Sequence, residues 1–325
     1  MAIIGVVAIH ANGEGLTFPV DSVNFSFSLL WRQVINFSVP LFLAISGYFL
    51  ARKNIDNYKT YYSFVRKQIP RVYIPCLFWS LIILSIEVFI KGKPLLNQLF
   101  QVATFQSFGA YYFVALIIQY YLLLPLLKQL ADMKGLFLSA IVSVLVTVLI
   151  FYIRYHTDVR LPLIVYAGLF PTWIVFFIYG LFLGSGGKVS WSNQSLFIAI
   201  VVSYILSCVE SYYLYFQYNQ AGDAVTAVKP TSFVYSFFVI SYLFKNIGFL
   251  KVKFLRCFGE ISFGIYLVHL FVLPYASKVL RTVSFIKLQP AYQVMSVFLT
   301  LLGCYFIIIF VQKISSKQAL KVIGF

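Results

Sequence analysis

Two residues near the beginning of the chain, His10 and Glu14, have the types and the spacing of a general-base pair. They are four positions apart at the end of an apolar run, so they would share one face if a helix continues that far. A neutral imidazole that is oriented by a carboxylate can take the proton of a hydroxyl group. An interfacial histidine that is hydrogen-bonded to water would explain the same residues. The spacing leaves both interpretations open.

A second histidine, His269, lies in the middle of the apolar segment FGEISFGIYLVHLFVL. Water is scarce at that depth of a membrane, so the imidazole needs either a partner or a role. A hydrogen bond to a neighbouring helix is the simpler explanation. Arg32 lies inside another apolar segment, near its outer end. A side chain that reaches to the membrane surface explains this arginine as well as a partner inside the protein does.

The third candidate is the basic segment VRKQIPRVYIPCLFW, which contains Arg66, Lys67 and Arg71 directly before a predicted spanning helix. Guanidinium groups bind phosphate oxygens in a forked geometry, so the segment could hold a polyphosphate such as coenzyme A on the cytoplasmic side. Ordinary anchoring of basic residues to lipid headgroups on the cytoplasmic side would explain the same three side chains.

The residues that usually bind metals are scattered through the chain. Its three histidines are far apart, and none of its four cysteines belongs to a CxxC pair. We therefore predict no metal site and no permanently bound cofactor. The cysteines are expected to serve as packing residues in or beside apolar runs. They are Cys76, Cys208, Cys257 and Cys304.

Composition places the chain among integral membrane proteins. Hydrophobic residues make up 61% of it, charged residues 10%, and the mean hydropathy is +0.90. One aqueous core cannot bury that much apolar surface, so the surplus must face lipid. The formal net charge of +16 comes from short basic clusters between apolar runs, without a soluble basic domain that would hold nucleic acid. We expect membrane lipids as partners and no nucleic acid.

Apolar runs with the length of spanning helices recur along the whole chain. The first, residues 1–11, is too short to span a bilayer and predicts a first helix that is truncated at its N-terminus. The unbroken runs lack the alternation of barrel strands. The predicted fold is therefore all-α, a polytopic membrane protein with about ten transmembrane helices. The nine further spans are 29–50, 72–90, 111–130, 136–155, 164–184, 196–215, 233–249, 261–280 and 292–311.

Lysine and arginine are distributed unevenly over the connections between these spans. Alternate connections carry 16 of them on one side and 8 on the other, and Arg32 lies within a helix. The positive-inside rule places the richer side, and with it both termini, in the cytoplasm. The sequence has no internal repeat, soluble linker or low-complexity tract, so residues 1–325 are predicted to form a single transmembrane domain.

Five segments in this order resemble the acyltransferase 3 family of bacterial membrane acyltransferases, which modify sugars and other surface molecules. The resemblance extends over nearly the whole chain. The first segment is similar to the family's first helix with its active-site histidine, and the others to its second helix, arginine-rich segment, fourth helix and a late helix. In order they are AIIGVVAIHA, FSVPLFLAISGYFL, VRKQIPRVYIPCLFW, AYYFVALIIQYYLLLPLL and FGEISFGIYLVHLFVL.

The resemblance implies an O-acyltransferase in the bacterial plasma membrane. Such an enzyme would move an acetyl or other short acyl group from acyl-CoA to a hydroxyl of a cell-surface or lipid-linked sugar. Acyl-CoA would be a co-substrate rather than a resident cofactor. The acyl group could pass directly to the acceptor or through an acyl-histidine.

The same resemblance implies roles for individual residues. His10 would be the catalytic base, with Glu14 assisting it. The side chains of Arg66, Lys67 and Arg71 would serve the acyl-CoA. Two further residues, Tyr112 and His269, would line the route of the acyl group or the acceptor.

The chain departs from the family pattern at two places. Family members usually carry an arginine or lysine upstream of the catalytic histidine, and that position would precede Met1. They often have tryptophan before phenylalanine in the fourth helix, where this chain has Tyr112. The first departure, like the short first helix, is what a start codon placed too late would produce.

Two functions from other classes are the alternatives. A transporter or flippase for a lipid-linked saccharide should show paired halves with broken helices, and Pro40, Pro125 and Pro171 form no such matched set. A membrane ligand-sensing module is the other. The acceptor, the acyl group and the oligomeric state are left open by the sequence.

Overall fold

The structure is a computed structural model that describes residues 1–11, 13–157, 159, 161–218, 221–250, 253–282 and 288–325. These residues form helices and connections and contain no β-strand. The all-α fold class is therefore confirmed. In chain order the α-helices are α1 (Ala2–Ala11), α2 (Val23–Ile35), α3 (Ser38–Ala51), α4 (Tyr58–Ser85), α5 (Leu95–Ala103), α6 (Tyr112–Lys128), α7 (Met133–His156), α8 (Leu163–Tyr166), α9 (Phe170–Gly184), α10 (Asn193–Tyr218), α11 (Ala221–Ala224), α12 (Pro230–Lys245), α13 (Lys253–Glu260), α14 (Ser262–Arg281), α15 (Gln289–Ile314) and α16 (Lys317–Ile323).

Seven helical stretches within the described residues are long and apolar enough to cross a membrane. All ten predicted spans coincide with helices. Three of the predicted spans lie outside the seven long stretches, because their helices are shorter: α1 has 10 residues, α6 has 17 and α12 has 16. The chain is thus a polytopic membrane protein, as its composition predicts.

The second predicted span is two helices rather than one. Helix α2 begins after Ser22, whose Oγ accepts a hydrogen bond from Phe25 N at 3.1 Å. The helix then breaks at residues 36 and 37, and α3 follows at once. Pro40 predicts a kink here, because its ring clashes with the preceding turn of a helix. The break places Pro40 in the first turn of α3, where its missing N–H costs no helical hydrogen bond.

The third predicted span begins 14 residues earlier than hydropathy indicates, at Tyr58 instead of residue 72. Asn57 caps α4: its Oδ1 accepts from Thr60 N at 2.9 Å, and Thr60 Oγ1 accepts from Asn57 N at 3.3 Å. Arg66, Lys67 and Arg71 therefore lie within the helix, and the prediction that they precede it is wrong. Hydropathy misses this extension because the first turns of α4 are polar.

The chain divides into two compact units, each made from two stretches of sequence. Unit 1 comprises residues 1–44 and 188–307, and unit 2 comprises residues 45–187 and 308–325. Helices α3 and α15 contribute residues to both units. The assignment of the whole chain to one transmembrane domain stays a prediction.

Unit 2 packs its helices closely through glycines. Gly47 of α3 lies against the backbone of Phe177 and Leu181 in α9, and Gly184 lies against Tyr48 and Ala51 of α3. A Cβ at either glycine would collide with backbone atoms. Small residues permit such close approach between membrane helices, where lipid offers no hydrophobic driving force.

Unit 1 contains α1, α2, α3 as far as Ala44, α10 to α14, and α15 as far as Ile307. Helix α1 packs against α14 and α2, and α10 packs against α2, α11 and α12. Between α10 and α12 the chain enters the interior: Ala224, Val225, Val228 and Lys229 are all buried. A connection with exposed backbone groups is tolerated at membrane depth only where protein surrounds it.

Candidate active site

Unit 1 brings together two histidines that are 259 positions apart in the sequence. His10 lies on the last turn of α1 and His269 in the middle of α14, and these two helices are in contact. Their ring centroids are 5.2 Å apart, and the ring planes are inclined by 50°. His269 is fully buried, and His10 is half-buried. We call these two residues the histidine pair.

The backbone of α14 determines which nitrogen of His269 carries a proton. Nδ1 lies 2.8 Å from Tyr266 O and 3.1 Å from Ile265 O. Both neighbours are acceptors, so Nδ1 is assigned as the donor. In the neutral ring Nε2 is then a proton acceptor. Nε2 is buried and has no hydrogen-bond partner among the described residues, so its capacity to accept a proton or a hydrogen bond is unused.

Glu14 does not share a helix face with His10. Helix α1 ends at Ala11, and residues Gly13–Thr17 form a 3₁₀ helix instead. The spacing argument for a His–Glu pair on one α-helix therefore fails. The side chain of Glu14 lies outside the described part of the chain, so its role as the assisting carboxylate stays a prediction.

Arg32 also belongs to this site, although the sequence left its role open. Its Nε donates to Val225 O at 3.2 Å, so the side chain turns into the protein instead of reaching to the membrane surface. The guanidinium lies close enough to His10 for its charge to act on the imidazole. A single arginine inside an apolar helix was the available signal. Hydropathy alone did not separate this arrangement from an interfacial one.

Buried polar contacts hold the connection that binds Arg32. Asn36 Nδ2 donates to Thr226 O at 3.3 Å, and Gln33 Nε2 donates to Ala224 O at 3.5 Å. These donors lie on or directly after α2, as does Arg32. Helix α2 and residues 224–226 are thus joined at three consecutive carbonyl groups, which fixes the position of the guanidinium.

Lys229 holds the other end of the connection between α11 and α12, directly before α12 begins. The residue is fully buried, and its Nζ donates to Ser207 O at 2.9 Å, to Ala224 O at 3.3 Å and to Ser211 Oγ. Three acceptors satisfy the three ammonium protons. Lys229 therefore joins α10 to this connection. It holds Ala224 in place, next to Val225, whose carbonyl oxygen accepts the bond from Arg32.

The three basic candidates for phosphate binding belong to unit 2. Arg66, Lys67 and Arg71 lie on α4 with exposed side chains. An α-helix turns by about 100° per residue. Lys67 and Arg71, four positions apart, therefore share a face, whereas Arg66 and Arg71 are about 140° apart around the axis. Helix α4 brings Lys67 together with Arg71, not the two arginines that the sequence suggested as a fork.

Tyr112 also belongs to unit 2, as the first residue of α6. It is half-buried and follows the fully buried Tyr111. Of the candidates named from sequence, His10 and His269 thus lie in unit 1, and Tyr112 and the three basic residues lie in unit 2.

One family model, described as an acyltransferase domain of the acyltransferase 3 type, matches residues 1–309. The chain belongs to the acyltransferase 3 family. Neither a curated protein nor a solved structure matches it. The resemblance in the five segments is confirmed, and the chain is a membrane acyltransferase in general terms. Such an acyltransferase requires an acyl donor and an acceptor substrate.

The groups assembled in unit 1 suit acyl transfer. Acyl transfer needs a base that removes a proton from the attacking group. It also needs positive charge or hydrogen-bond donors for the oxyanion that develops on the acyl carbonyl. The histidine pair offers nitrogen atoms that could act as bases, and the Arg32 guanidinium is close enough to His10 for its charge to act on the imidazole. The pair therefore marks the candidate active site.

Proposed function

We propose that the chain is an integral-membrane O-acyltransferase that moves an acetyl or other short acyl group from acyl-CoA to a hydroxyl group of a cell-surface or lipid-linked sugar. The observation that carries this proposal is the contact between His10 and His269, with rings 5.2 Å apart. Two imidazoles beside an arginine inside a membrane protein are expensive to bury and need a chemical reason to be there.

In the proposed reaction, His10 takes the proton of the acceptor hydroxyl. The oxygen of that hydroxyl attacks the carbonyl carbon of the thioester at the same time. The resulting oxyanion is stabilised by the Arg32 guanidinium. The carbon–sulfur bond then breaks, and the thiolate of coenzyme A takes the proton from the imidazolium of His10. The products are an ester and free coenzyme A. A covalent acyl-histidine intermediate is the alternative order of the same steps.

The membrane arrangement is part of this proposal. Both termini and the basic face of α4 are placed in the cytoplasm of a bacterium, because the connections on that side carry most of the lysine and arginine. Coenzyme A is cytoplasmic, and Lys67 and Arg71 are available for its phosphates. The histidine lies toward the outer end of α1, so we propose an acceptor that is presented from outside.

Substitution of the proposed base tests the function. Purified protein in detergent should transfer acetyl from [¹⁴C]acetyl-CoA to sugar hydroxyls, and His10→Ala should lower kcat/KM about a hundredfold or more, since a general base contributes about 10²–10⁴-fold. His156→Ala is the matched control, because His156 is exposed at the end of α7 in unit 2. That variant should retain full activity.

Two results would contradict the proposal. Wild-type turnover by a correctly inserted His10→Ala protein would remove the mechanism. Absence of both acetyl transfer and acetyl-CoA hydrolysis in the wild type would favour the transporter or the sensing module.

A further inference from the structure

Helix α15 carries a stripe of four polar residues on its buried face. The members are spaced by four, three and four positions, so they lie within about 60° of one another around the helix axis. Each is at most 3% exposed. They are Gln289, Gln293, Ser296 and Thr300. We call this set the α15 polar stripe.

Three members of the stripe have polar atoms without a partner. Gln293 Oε1, Ser296 Oγ and Thr300 Oγ1 are buried, and no described residue makes a hydrogen bond to them. Buried polar groups in native proteins are nearly always paired, because an unpaired group loses its bonds to water and gains none in return. Three such atoms on one helix face require an explanation.

Several other buried hydroxyl groups among the described residues are paired within their own helix, although Ser236 Oγ of α12 also has no partner. Ser203 Oγ donates to Ala199 O at 2.6 Å, and Thr147 Oγ1 donates to Ser143 O at 2.7 Å. Such bonds to the preceding turn are the usual way in which a membrane helix satisfies serine and threonine. Ser296 and Thr300 lack them. Their hydroxyl groups thus keep hydrogen-bonding capacity that no described residue uses.

Hydrogen bonds to α2 fix the depth of the stripe. Gln289 N donates to Asn24 Oδ1 at 3.1 Å, and Gln293 Nε2 donates to Ser28 Oγ at 2.9 Å. Each partner advances by four residues, so α2 and α15 run parallel in register. One further turn brings Arg32 and Ser296 to the same level. The stripe thus extends from the start of α15 to at least the level of Arg32, whose charge acts on His10.

The stripe ends at Thr300, one turn beyond the level of Arg32. Beyond Thr300 the buried face of α15 continues with Cys304 and Ile308, which are apolar. The polar face therefore occupies only the N-terminal half of the helix. A ligand bound along it would enter from the end where Gln289 lies and reach the histidine pair with its inner end.

The chemistry of the stripe defines its ligand. Gln293 Oε1 accepts hydrogen bonds, and the hydroxyls of Ser296 and Thr300 both donate and accept. None of the three is charged. This set matches a neutral molecule with several hydroxyl groups, and it supplies no positive charge for a phosphate.

We infer that the α15 polar stripe is the acceptor subsite and binds the hydroxyl groups of a sugar residue. Gln293, Ser296 and Thr300 hold the ring, and His269 Nε2 accepts a hydrogen bond from a hydroxyl beside His10. This inference rests on the proposed function, because it assigns the acceptor of that reaction.

Kinetics of a double variant provide the first test. Acetyl transfer to a panel of methyl hexopyranosides is measured for the wild type and for Ser296→Ala/Thr300→Val. The double variant should raise the KM for the glycoside about tenfold or more, with a smaller change in kcat and in the KM for acetyl-CoA. The matched control is Ser203→Ala/Thr147→Val, whose hydroxyls bond to their own helices. It should leave all three constants unchanged. An unchanged glycoside KM in the Ser296→Ala/Thr300→Val protein would overturn the subsite while leaving the acyltransferase intact.

Thiol protection tests the subsite without the acyl donor. In Ser296→Cys, labelling at position 296 by a methanethiosulfonate reagent is followed by peptide mass spectrometry, which separates it from the four native cysteines. A methyl hexopyranoside should slow this labelling at least about fivefold. If the glycoside protected Ser296→Cys but the wild type transferred no acetyl group, the proposed function would be wrong and the sugar site would remain.

Two outcomes of the labelling experiment would overturn the inference. Protection by coenzyme A and not by any glycoside would assign the stripe to the donor. Labelling that neither compound slows would mean that the hydroxyls are merely hydrated. Ser203→Cys should be insensitive to both compounds.

Discussion

Two units of nearly equal length differ sharply in what they bury. Among the described residues, unit 1 buries eighteen polar or charged side chains, and unit 2 buries six. In unit 1 these groups bind one another across helices, as Gln33, Asn36, Ser207 and Ser232 do. In unit 2, Ser139 and Thr147 bond to their own helices, and Ser143 is a buried hydroxyl that bonds from α7 to the backbone of α9. The interior of unit 1 is therefore more polar than that of unit 2, as expected if the proposed reaction site lies in unit 1.

The difference follows from the cost of polar groups in a membrane. A hydroxyl that bonds to its own helix needs no neighbour and serves packing. A network between helices requires each partner to be placed correctly, and it is kept where chemistry needs fixed dipoles and charges. Unit 2 obtains its close packing from glycines at the contact of α3 and α9 instead.

The largest effect that separates the two units should come from a matched pair of lysine substitutions. Lys229→Met removes a buried donor from three acceptors in unit 1 and should lower the free energy of unfolding by about 3 kcal/mol. Lys128→Met removes a surface bond from Lys128 Nζ to Lys53 O in unit 2 and should change it by less than about 0.5 kcal/mol. Equilibrium unfolding in mixed detergent micelles measures both values. Equal losses would show that burial of polar groups does not distinguish the units.

Arg32 should give the next largest effect, on catalysis rather than on stability. Arg32→Leu removes the cation beside His10 and should reduce kcat for acetyl transfer about a hundredfold. Arg32→Lys keeps the charge but loses the Nε bond to Val225 O. Its kcat should therefore lie between those of the wild type and Arg32→Leu. Arg154→Leu is the control, because Arg154 of unit 2 lies over the Tyr166 ring at 4.4 Å. If Arg154→Leu lowered kcat as much as Arg32→Leu, the assignment of the chemistry to unit 1 would be wrong.

The smallest effect should come from the basic face of α4. Lys67→Ala/Arg71→Ala should raise the KM for acetyl-CoA about tenfold with kcat nearly unchanged, because exposed charges contribute to binding of phosphates and little to the chemical step. Added salt should reduce the difference between wild type and variant. Lys317→Ala/Lys321→Ala removes two charges with the same spacing from α16 and should have no effect on KM. Equal changes in the KM for acetyl-CoA in the two double variants would show that the α4 face acts only through its general positive charge and not as a specific phosphate site.

Much of the fold could be predicted from the sequence because hydropathy reports directly on lipid burial. Nine of the ten predicted spans are long apolar runs, and each coincides with one helix or with two consecutive helices. Errors occur at helix ends, where capping decides. Asn57 and Thr60 extend α4 by polar turns that no hydropathy window includes. The break before α3 likewise depends on how Pro40 is accommodated.

The candidate site could be predicted only in part. His10 was accessible through its place in a family motif, and His269 through its depth in an apolar segment. Their contact was not accessible, because nothing in either segment indicates the other. Arg32 was visible but ambiguous. The α15 polar stripe is present in the sequence as Gln289, Gln293, Ser296 and Thr300, but its burial depends on how the helix is rotated.

The sequence by itself determined that this protein is a helical membrane acyltransferase and that it carries imidazoles inside apolar segments. Those are properties of single residues and single helices, since each segment partitions between water and lipid on its own. Only the tertiary structure decided that His10 meets His269, that Arg32 turns inward to Val225, and that the stripe of α15 faces α2. Lipid is as apolar as the helices themselves, so the choice of neighbour and of rotation depends on close packing and interhelical hydrogen bonds, which exist only between segments.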